Sequence, residues 1–293
     1  MTDRLEVEVG GYRVQIRVDG HTGPVVVLCS GLGGRALHWS DTVAHLSDDH
    51  TVVRFDRPGT PTGAQPPLGG RLSVRAEADR ISAVLDAVRG PRDAVVVGHS
   101  VGGFYAEAFA RLYPRRTRAM LLLDSSIAPD RRWLPTLPLP IKLAAANAAV
   151  ALLSRWHLQT ALSRAGLELA QRRRPGGLDS RVRAEIHAAA TEPGFPLALC
   201  AEYLGYHELA AELCTLRAVY PLPPVPRTVA TAHTGWRTRW WRTQQIRLAE
   251  TLGAEHLTIS PSGHLVMIER PRRTADVIRE IGRASAAKIK PSR

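Results

Sequence analysis

Short apolar runs alternate with segments of helical period along this chain, and that alternation restricts its fold more than any other feature. The runs lie at 25–29, 52–55, 94–97 and 119–123, each with Gly, Pro or Asp on at least one side. Such runs are typical of strands buried on both faces of a parallel sheet. Segments of helical period separate them at 36–46, 72–88 and 101–113. We therefore predict a parallel sheet with right-handed helical crossovers.

The two ends of the chain carry the remaining strand patterns. Residues 5–9 and 12–18 alternate apolar and polar side chains around Gly10-Gly11, which predicts a β-hairpin with a two-residue turn. Further patterns follow near the C-terminus: strands at 227–232 and 256–259, and helices at 240–252 and 272–287. The sheet is therefore expected to have eight strands.

A long middle region interrupts the alternation. Residues 127–220 are rich in Ala, Leu and Arg, have proline-rich ends, and contain no convincing strand pattern. We interpret them as an inserted helical cap, which the prolines would allow to move as a lid. Core segments at 1–126 and 221–293 flank this cap. The predicted fold class is α/β: a doubly wound, mostly parallel eight-stranded sheet flanked by helices, with an inserted helical cap.

Composition and the first residues of the chain bear on its location. Hydrophobic residues make up 44% of the chain and charged residues 23%, as in an ordinary globular protein. Cys29, Cys200 and Cys214 lack the density and pairing of a disulfide framework, which favours a reducing compartment. The charged N-terminus lacks a secretory pattern, and the longest apolar stretch, 141–153, is shorter than the roughly 20 residues that span a bilayer. We expect a cytoplasmic protein without a membrane span.

The net charge of +12 raises the question of an anionic partner such as nucleic acid. Of the 39 basic residues 36 are arginine, and they are spread over nearly every segment. The densest group, 236–242, interleaves Trp and Arg as single-strand binders do. It also suits a helix that packs its tryptophans on a sheet and exposes its arginines. The even spread favours the second interpretation, and we predict no nucleic-acid partner.

Residues 98–102, Gly-His-Ser-Val-Gly, have the G-x-S-x-G pattern of a nucleophile elbow. The pattern alone recurs by chance, but a predicted strand precedes it and a predicted helix follows it, as an elbow requires. The serine of such a turn is strained, and side chains in place of Gly98 or Gly102 would meet neighbouring backbone. Ser100 is therefore the candidate nucleophile, although such a turn can contain Gly and Ser for packing alone.

Together with two other motifs, the elbow resembles the α/β-hydrolase superfamily over nearly the whole chain apart from the cap. Residues 98–103, GHSVGG, resemble the family's GHSxGG elbow. Residues 55–59, FDRPG, resemble the loop after its fourth strand, and 262–264, SGH, resemble its histidine loop. The resemblance implies a serine hydrolase without cofactor or metal that acts on a small-molecule ester or related acyl compound.

A serine hydroxyl needs a base within hydrogen-bond reach, and the base needs an orienting acid. Resemblance and chain order assign the base to His264, which follows the last predicted strand. The acid that most family members carry after the seventh strand is missing, since 230–236 contains no carboxylate. We expect Asp124, at the end of the sixth strand, to replace it. Alternatively Asp124 only caps the entry to the cap region, or Glu250 or Glu255 is the acid.

Two backbone N–H groups are needed to stabilise the tetrahedral intermediate. Val101 follows the nucleophile and supplies the first donor. The second lies in 30–34, SGLGG, which resembles the family's oxyanion loop, and we choose Leu32. The glycines of this loop do not have the spacing of a phosphate-binding motif, so nucleotide binding is not expected.

These motifs favour hydrolysis of a carboxylic ester through an acyl-enzyme on Ser100. A thioesterase or acyltransferase with the same triad is an alternative, because the pocket decides between these reactions. A non-catalytic receptor on the hydrolase fold is another, because the usual acid after the seventh strand is missing. Reactions that use an Asp nucleophile are disfavoured, since the elbow holds serine. The sequence leaves the oligomeric state open.

Overall fold

The core of the protein is one eight-stranded sheet. The structure is a computed structural model that describes residues 2–9, 11–57, 72–88, 93–128, 138–155, 158–192 and 194–289. The strands are Thr2–Val9 (β1), Tyr12–Asp19 (β2), Val25–Cys29 (β3), Thr51–Phe55 (β4), Ala94–His99 (β5), Thr117–Leu123 (β6), Arg227–Ala232 (β7) and Glu255–Ile259 (β8). Their order in the sheet is β1-β2-β4-β3-β5-β6-β7-β8.

The sheet is antiparallel at one edge and parallel elsewhere. Strand β2 pairs antiparallel with β1 and with β4, and the other neighbours pair in parallel. The prediction of a mostly parallel eight-stranded sheet that opens with a hairpin is confirmed. Gly10 of the predicted hairpin turn, and Pro58 and Gly59 of the FDRPG motif, lie outside the described residues.

Helices cover both faces of the sheet. They are Ser40–Leu46 (α1), Val74–Ala87 (α2), Gly102–Leu112 (α3), Leu139–Arg155 (α4), Leu158–Gln171 (α5), Ser180–Ala190 (α6), Phe195–Leu204 (α7), Tyr206–Val219 (α8), Arg239–Leu252 (α9), Val266–Glu269 (α10) and Pro271–Ile289 (α11). Alternate residues of β3 face opposite layers: Val25 and Val27 pack with α2 and α3, whereas Val26 and Leu28 pack with α1 and α11. Burial on both faces explains why these strands are continuous apolar runs in the sequence.

The helices α4 to α8 form an insertion between β6 and β7. This confirms the predicted helical insertion, whose entrance at 129–137, with Pro129 and Pro135, lies outside the described residues. Helix α4 is mostly apolar, yet Val150 is its one buried residue. A small apolar cluster that includes Leu167 and Ile186 packs this insertion against Leu37 of the core. No helix in the described ranges is long and apolar enough to cross a membrane.

Candidate active site

The candidate nucleophile, Ser100, lies in a sharp turn between β5 and α3. Its φ angle is +52°, in the left-handed region that a side chain rarely adopts. A Cβ on Gly98 would lie 2.4 Å from the Gly102 carbonyl oxygen, and one on Gly102 would lie 2.4 Å from that of Cys29. Glycine is therefore required on both sides of Ser100, as the elbow pattern predicts.

Asp124 follows β6 directly and is buried against the His264 imidazole. Its Oδ2 atom accepts a hydrogen bond from Nδ1 of His264 at 2.6 Å. Its Oδ1 atom accepts two more, from the backbone N–H of Ala232 at 3.0 Å and from Nε1 of Trp241 at 2.8 Å. The φ angle of Asp124 is +43°, so this side chain, like that of Ser100, is presented by a strained backbone. The carboxylate is thus held in one orientation relative to the imidazole.

Ser100 and His264 lie in neighbouring loops, after β5 and β8. The side chain of His264 is 50% exposed, so its ring is accessible from solvent. The hydrogen bonds among the described residues do not include one between the Ser100 hydroxyl and this ring, although a general base acts at about 2.6 to 3.2 Å from the atom that it deprotonates. Such contacts are often long without a ligand and shorten when substrate binds. The carboxylate that bonds His264 is that of Asp124, and not that of Glu250 or Glu255.

His99, next to the candidate nucleophile, supports the His264 loop. Its Nε2 atom lies 2.8 Å from the His264 carbonyl oxygen, so this nitrogen must carry a proton to donate. The two rings are 4.7 Å apart between centroids. Burial lowers the pKa of His99 well below its ordinary value, which leaves the ring neutral. A neutral ring here avoids like-charge repulsion when His264 is protonated.

The two predicted oxyanion donors lie in the loop after β3 and in the elbow. Among the described residues, neither the N–H of Leu32 nor that of Val101 has a hydrogen-bond partner. Groups on both sides of Leu32 are bonded: Arg57 donates to the carbonyl oxygens of Ser30 and Gly31 at 2.6 Å each, and Gly33 N–H donates to Oε2 of Glu202 at 2.9 Å. The loop is therefore held by hydrogen bonds on both sides of the Leu32 N–H.

Arg57 and Glu202 form a buried ion pair that joins the core to the insertion. Arg57 follows β4, Glu202 lies in α7, and Nε of Arg57 is 2.6 Å from Oε1 of Glu202. Although burial lowers it, the Glu202 carboxylate raises the pKa of Arg57 above its ordinary value, so the guanidinium is charged. The shape of the Leu32 loop therefore depends on a helix of the insertion.

A second ion pair joins core and insertion nearby. Nη2 of Arg35 is 2.7 Å from Oε1 of Glu192 and 3.2 Å from Oδ2 of Asp56. Burial raises the pKa of Glu192 above its usual range, against the opposite effect of Arg35. This pair does not bond the Leu32 loop, in contrast to Arg57 and Glu202.

The site lacks the donor set of a metal centre. Within the described ranges, no group of three or more His, Cys, Asp or Glu side chains is arranged to hold a metal ion. Its polar groups are instead a hydroxyl, an imidazole bonded to a carboxylate, and two unpaired amides. Those groups suit attack on a carbonyl carbon with charge developing on the carbonyl oxygen.

A family model described as the alpha/beta hydrolase family matches residues 26–277. The chain belongs to the alpha/beta hydrolase family. It is 34% identical over 125 residues to pyrrolizixenacetamide deacetylase of Xenorhabdus hominickii, and the match covers 42% of this chain and 45% of the relative. It is also 33% identical to RutD of Pseudomonas savastanoi pv. phaseolicola, a protein provisionally named as a carbamate hydrolase. This match extends over 108 residues, or 36% of this chain. The matched part spans 40% of that relative's length.

Solved structures agree on the fold of this hydrolase. The epoxide hydrolase CorEH superposes with a TM-score of 0.73 at 22% identity and covers 96% of this chain and 98% of its own. At this identity the likeness concerns the fold alone.

Sequence reasoning missed the partners that hold the site residues of this hydrolase. Trp241 and Glu202 contact Asp124 and Arg57 from 117 and 145 positions away, and no local pattern signals either contact. Arg57 lies inside the FDRPG motif and His99 inside the elbow, so both could have been singled out from the sequence.

Proposed function

We propose that this α/β hydrolase cleaves a carboxylic ester, or a related acyl bond, through an acyl-enzyme on Ser100. His264 is the general base, Asp124 orients it, and the backbone N–H groups of Leu32 and Val101 form the oxyanion hole. In this proposal residues 127–220 are a cap over the catalytic edge, and the core comprises 1–126 and 221–293.

The reaction has two halves. The Ser100 hydroxyl oxygen attacks the substrate carbonyl carbon, and its proton passes to Nε2 of His264. The tetrahedral intermediate then loses the alcohol, which takes the proton from the imidazolium, and the acyl group stays on Ser100. A water attacks this acyl-enzyme in the same way, and the carboxylic acid leaves as Ser100 regains its proton.

The contact between Asp124 and His264 carries this proposal. Because a carboxylate accepts at Nδ1, the proton of the neutral imidazole is held on that nitrogen, and Nε2 is left with the lone pair that a base requires. A surface His and Asp would gain little from such an arrangement. The burial of Asp124 and its two further donors support a positioned acid.

A fluorophosphonate probe tests the nucleophile, because it reacts with an activated serine. We expect wild-type protein to be labelled and Ser100→Ala not to be. His264→Ala and Ser100→Ala should each remove most esterase activity, with a loss on the order of 10⁶, and the double variant should be little worse than either. Labelling that persists in Ser100→Ala, or losses that add, would contradict the proposal. A protein that binds esters without labelling would be the receptor alternative.

A further inference from the structure

A cavity of about 400 Å³ lies between the catalytic edge and the helices α4, α5 and α7. On the core side it is lined by Gly31, Leu32, His99 and Leu265. A Cβ on Gly31 would be 2.8 Å from Cβ of Ser100, so this wall of the cavity abuts the candidate nucleophile. A group bound here would therefore lie next to Ser100.

The described lining of this cavity has no side chain with a full charge. It contains no Asp, Glu, Lys or Arg. Burial lowers the pKa of His38 to about 4 and that of His99 well below its ordinary value, so both rings are neutral near pH 7. The helices add mainly apolar side chains, including Val150, Leu167 and Phe195. A charged ligand group would lose its water here without gaining an opposite charge.

One face of α5 forms the wall opposite the catalytic edge. Its lining residues follow helical spacing: Gln159, Leu162, Ser163, Gly166, Leu167 and Ala170. Gly166 lies in the middle of this face, and a Cβ built on it would meet no atom within 4 Å apart from its chain neighbours and the backbone of its own helix. Glycine is the poorest helix former after proline, so its position inside α5 has no local benefit. Gly166 is itself exposed, so the missing side chain leaves the cavity open to solvent at this wall.

We propose that this cavity holds the acyl chain of the substrate, that the chain is uncharged and apolar, and that Gly166 sets how long it can be. The assignment rests on the proposed esterase function. The volume suits a ligand of small-molecule size, and the apolar walls favour each added methylene. Gly166 acts on specificity and takes no part in the chemical steps.

The first test is a series of p-nitrophenyl esters from acetate to dodecanoate. We expect kcat/KM to rise by about fourfold per methylene, up to a limiting length, because each buried CH₂ contributes about that factor. A p-nitrophenyl monoester whose chain ends in a carboxylate should react at least tenfold more slowly than the methyl-ended ester of equal length. Equal rates for these two esters, or no dependence on length, would overturn the proposal.

The second test changes the wall. Gly166→Phe should lower the ratio of kcat/KM for the octanoate ester to kcat/KM for the acetate ester at least tenfold. Ala165→Phe is the matched control, since Ala165 is exposed on the same helix but does not line the cavity. Gly166→Leu is a smaller second variant, and the far-UV circular dichroism and thermal midpoint report that each variant is folded. Identical chain-length profiles for Gly166→Phe and Ala165→Phe would overturn the role of Gly166.

Binding without turnover separates this inference from the proposed function. In Ser100→Ala the octanoate ester should bind more tightly than the acetate ester, and adding Gly166→Phe should abolish that preference. If fluorophosphonate labelling fails while this preference holds, the esterase function is wrong and the apolar pocket stands. If labelling succeeds and Ser100→Ala binds both esters equally, the pocket is wrong and the nucleophile stands.

Discussion

Two parts of the candidate site are held by different kinds of interaction. On the core side, Ser100, Asp124 and His264 follow strands β5, β6 and β8, and neighbouring strands fix the backbone that precedes them. On the cap side, the Leu32 loop is held by an ion pair whose carboxylate, Glu202, comes from α7. The proposed nucleophile, base and acid therefore depend on the sheet, whereas the proposed oxyanion donor Leu32 depends on how the insertion packs.

The difference matters because the two parts tolerate change differently. A parallel sheet buried on both faces is a cooperative unit and opens only with the whole domain. The insertion buries fewer apolar residues, and α4 contributes Val150 alone. Substitutions on the core side should alter the chemistry and leave the packing of the insertion unchanged. Substitutions on the cap side should alter the Leu32 loop and leave the positions of Ser100, His264 and Asp124 unchanged.

Among variants that keep both Ser100 and His264, the largest effect is expected on the core side, for Asp124→Asn. The amide oxygen can still accept from Ala232 and Trp241, so the fold should persist. The amide nitrogen would then face His264, donate to Nδ1 and move the ring proton to Nε2, where it blocks proton removal from Ser100. We expect kcat to fall by up to about 10⁴, the loss typical of this replacement, with an unchanged thermal midpoint.

Trp241→Phe is the matched control for this substitution. It removes one donor to Oδ1 of Asp124 and leaves the contact with His264, so activity should fall by less than about tenfold. If Asp124→Asn retained activity within tenfold of wild type, Asp124 would be a structural residue and the base would lack an acid partner.

The same division explains how much the sequence could predict. The features that define the core are local: apolar runs mark the strands, and glycines mark the elbow, so Ser100 and the place of Asp124 could be found. Contacts between the insertion and the core are not local in sequence. They depend on how helices that bury few apolar side chains pack on the core. Glu202 has no neighbour in sequence that indicates a contact with Gly33, 169 positions away.

A second, smaller effect concerns the boundary between the two parts, where His38 lies buried beside the cavity. Burial lowers the pKa of His38 to about 4, opposed by Asp56 and assisted by Arg35 and Arg174. The unfolded chain binds the proton near pH 6.5, so it holds more protons than the folded state between these values. The free energy of unfolding should therefore fall as the pH drops from 6.5 towards 4.

Urea unfolding at pH 7 and pH 5 measures this contribution. At pH 5 the loss from His38 alone should be about 2 kcal/mol, from about 1.4 kcal/mol per pH unit. His38→Gln removes the titrating group, so the difference between the two pH values should shrink by that amount. Burial also lowers the pKa of His99, and His99 remains in the variant, so its contribution to the difference is unchanged. An unchanged difference in His38→Gln would show that His38 titrates normally in the folded protein.

The smallest effect, and the sharpest test of the comparison, is expected on the cap side for Glu202→Gln. The amide oxygen can still accept from Gly33, but the charge that pairs with Arg57 is lost, and the loop that carries Leu32 loosens. Complete loss of an oxyanion donor costs about 10² to 10³ in kcat, so a displaced donor should cost roughly tenfold, with KM little changed.

Glu192→Gln provides the matched control, because it weakens the other ion pair between core and insertion and leaves the Leu32 loop untouched. Arg35 keeps Asp56 as a partner at 3.2 Å, so the guanidinium is not left alone. Both variants should lose stability, because a buried guanidinium loses a charged partner in each, but only Glu202→Gln should lower kcat. Equal losses of kcat would mean that any loosening of the insertion disturbs catalysis, whereas an unchanged kcat in Glu202→Gln would mean that the sheet alone sets the oxyanion loop.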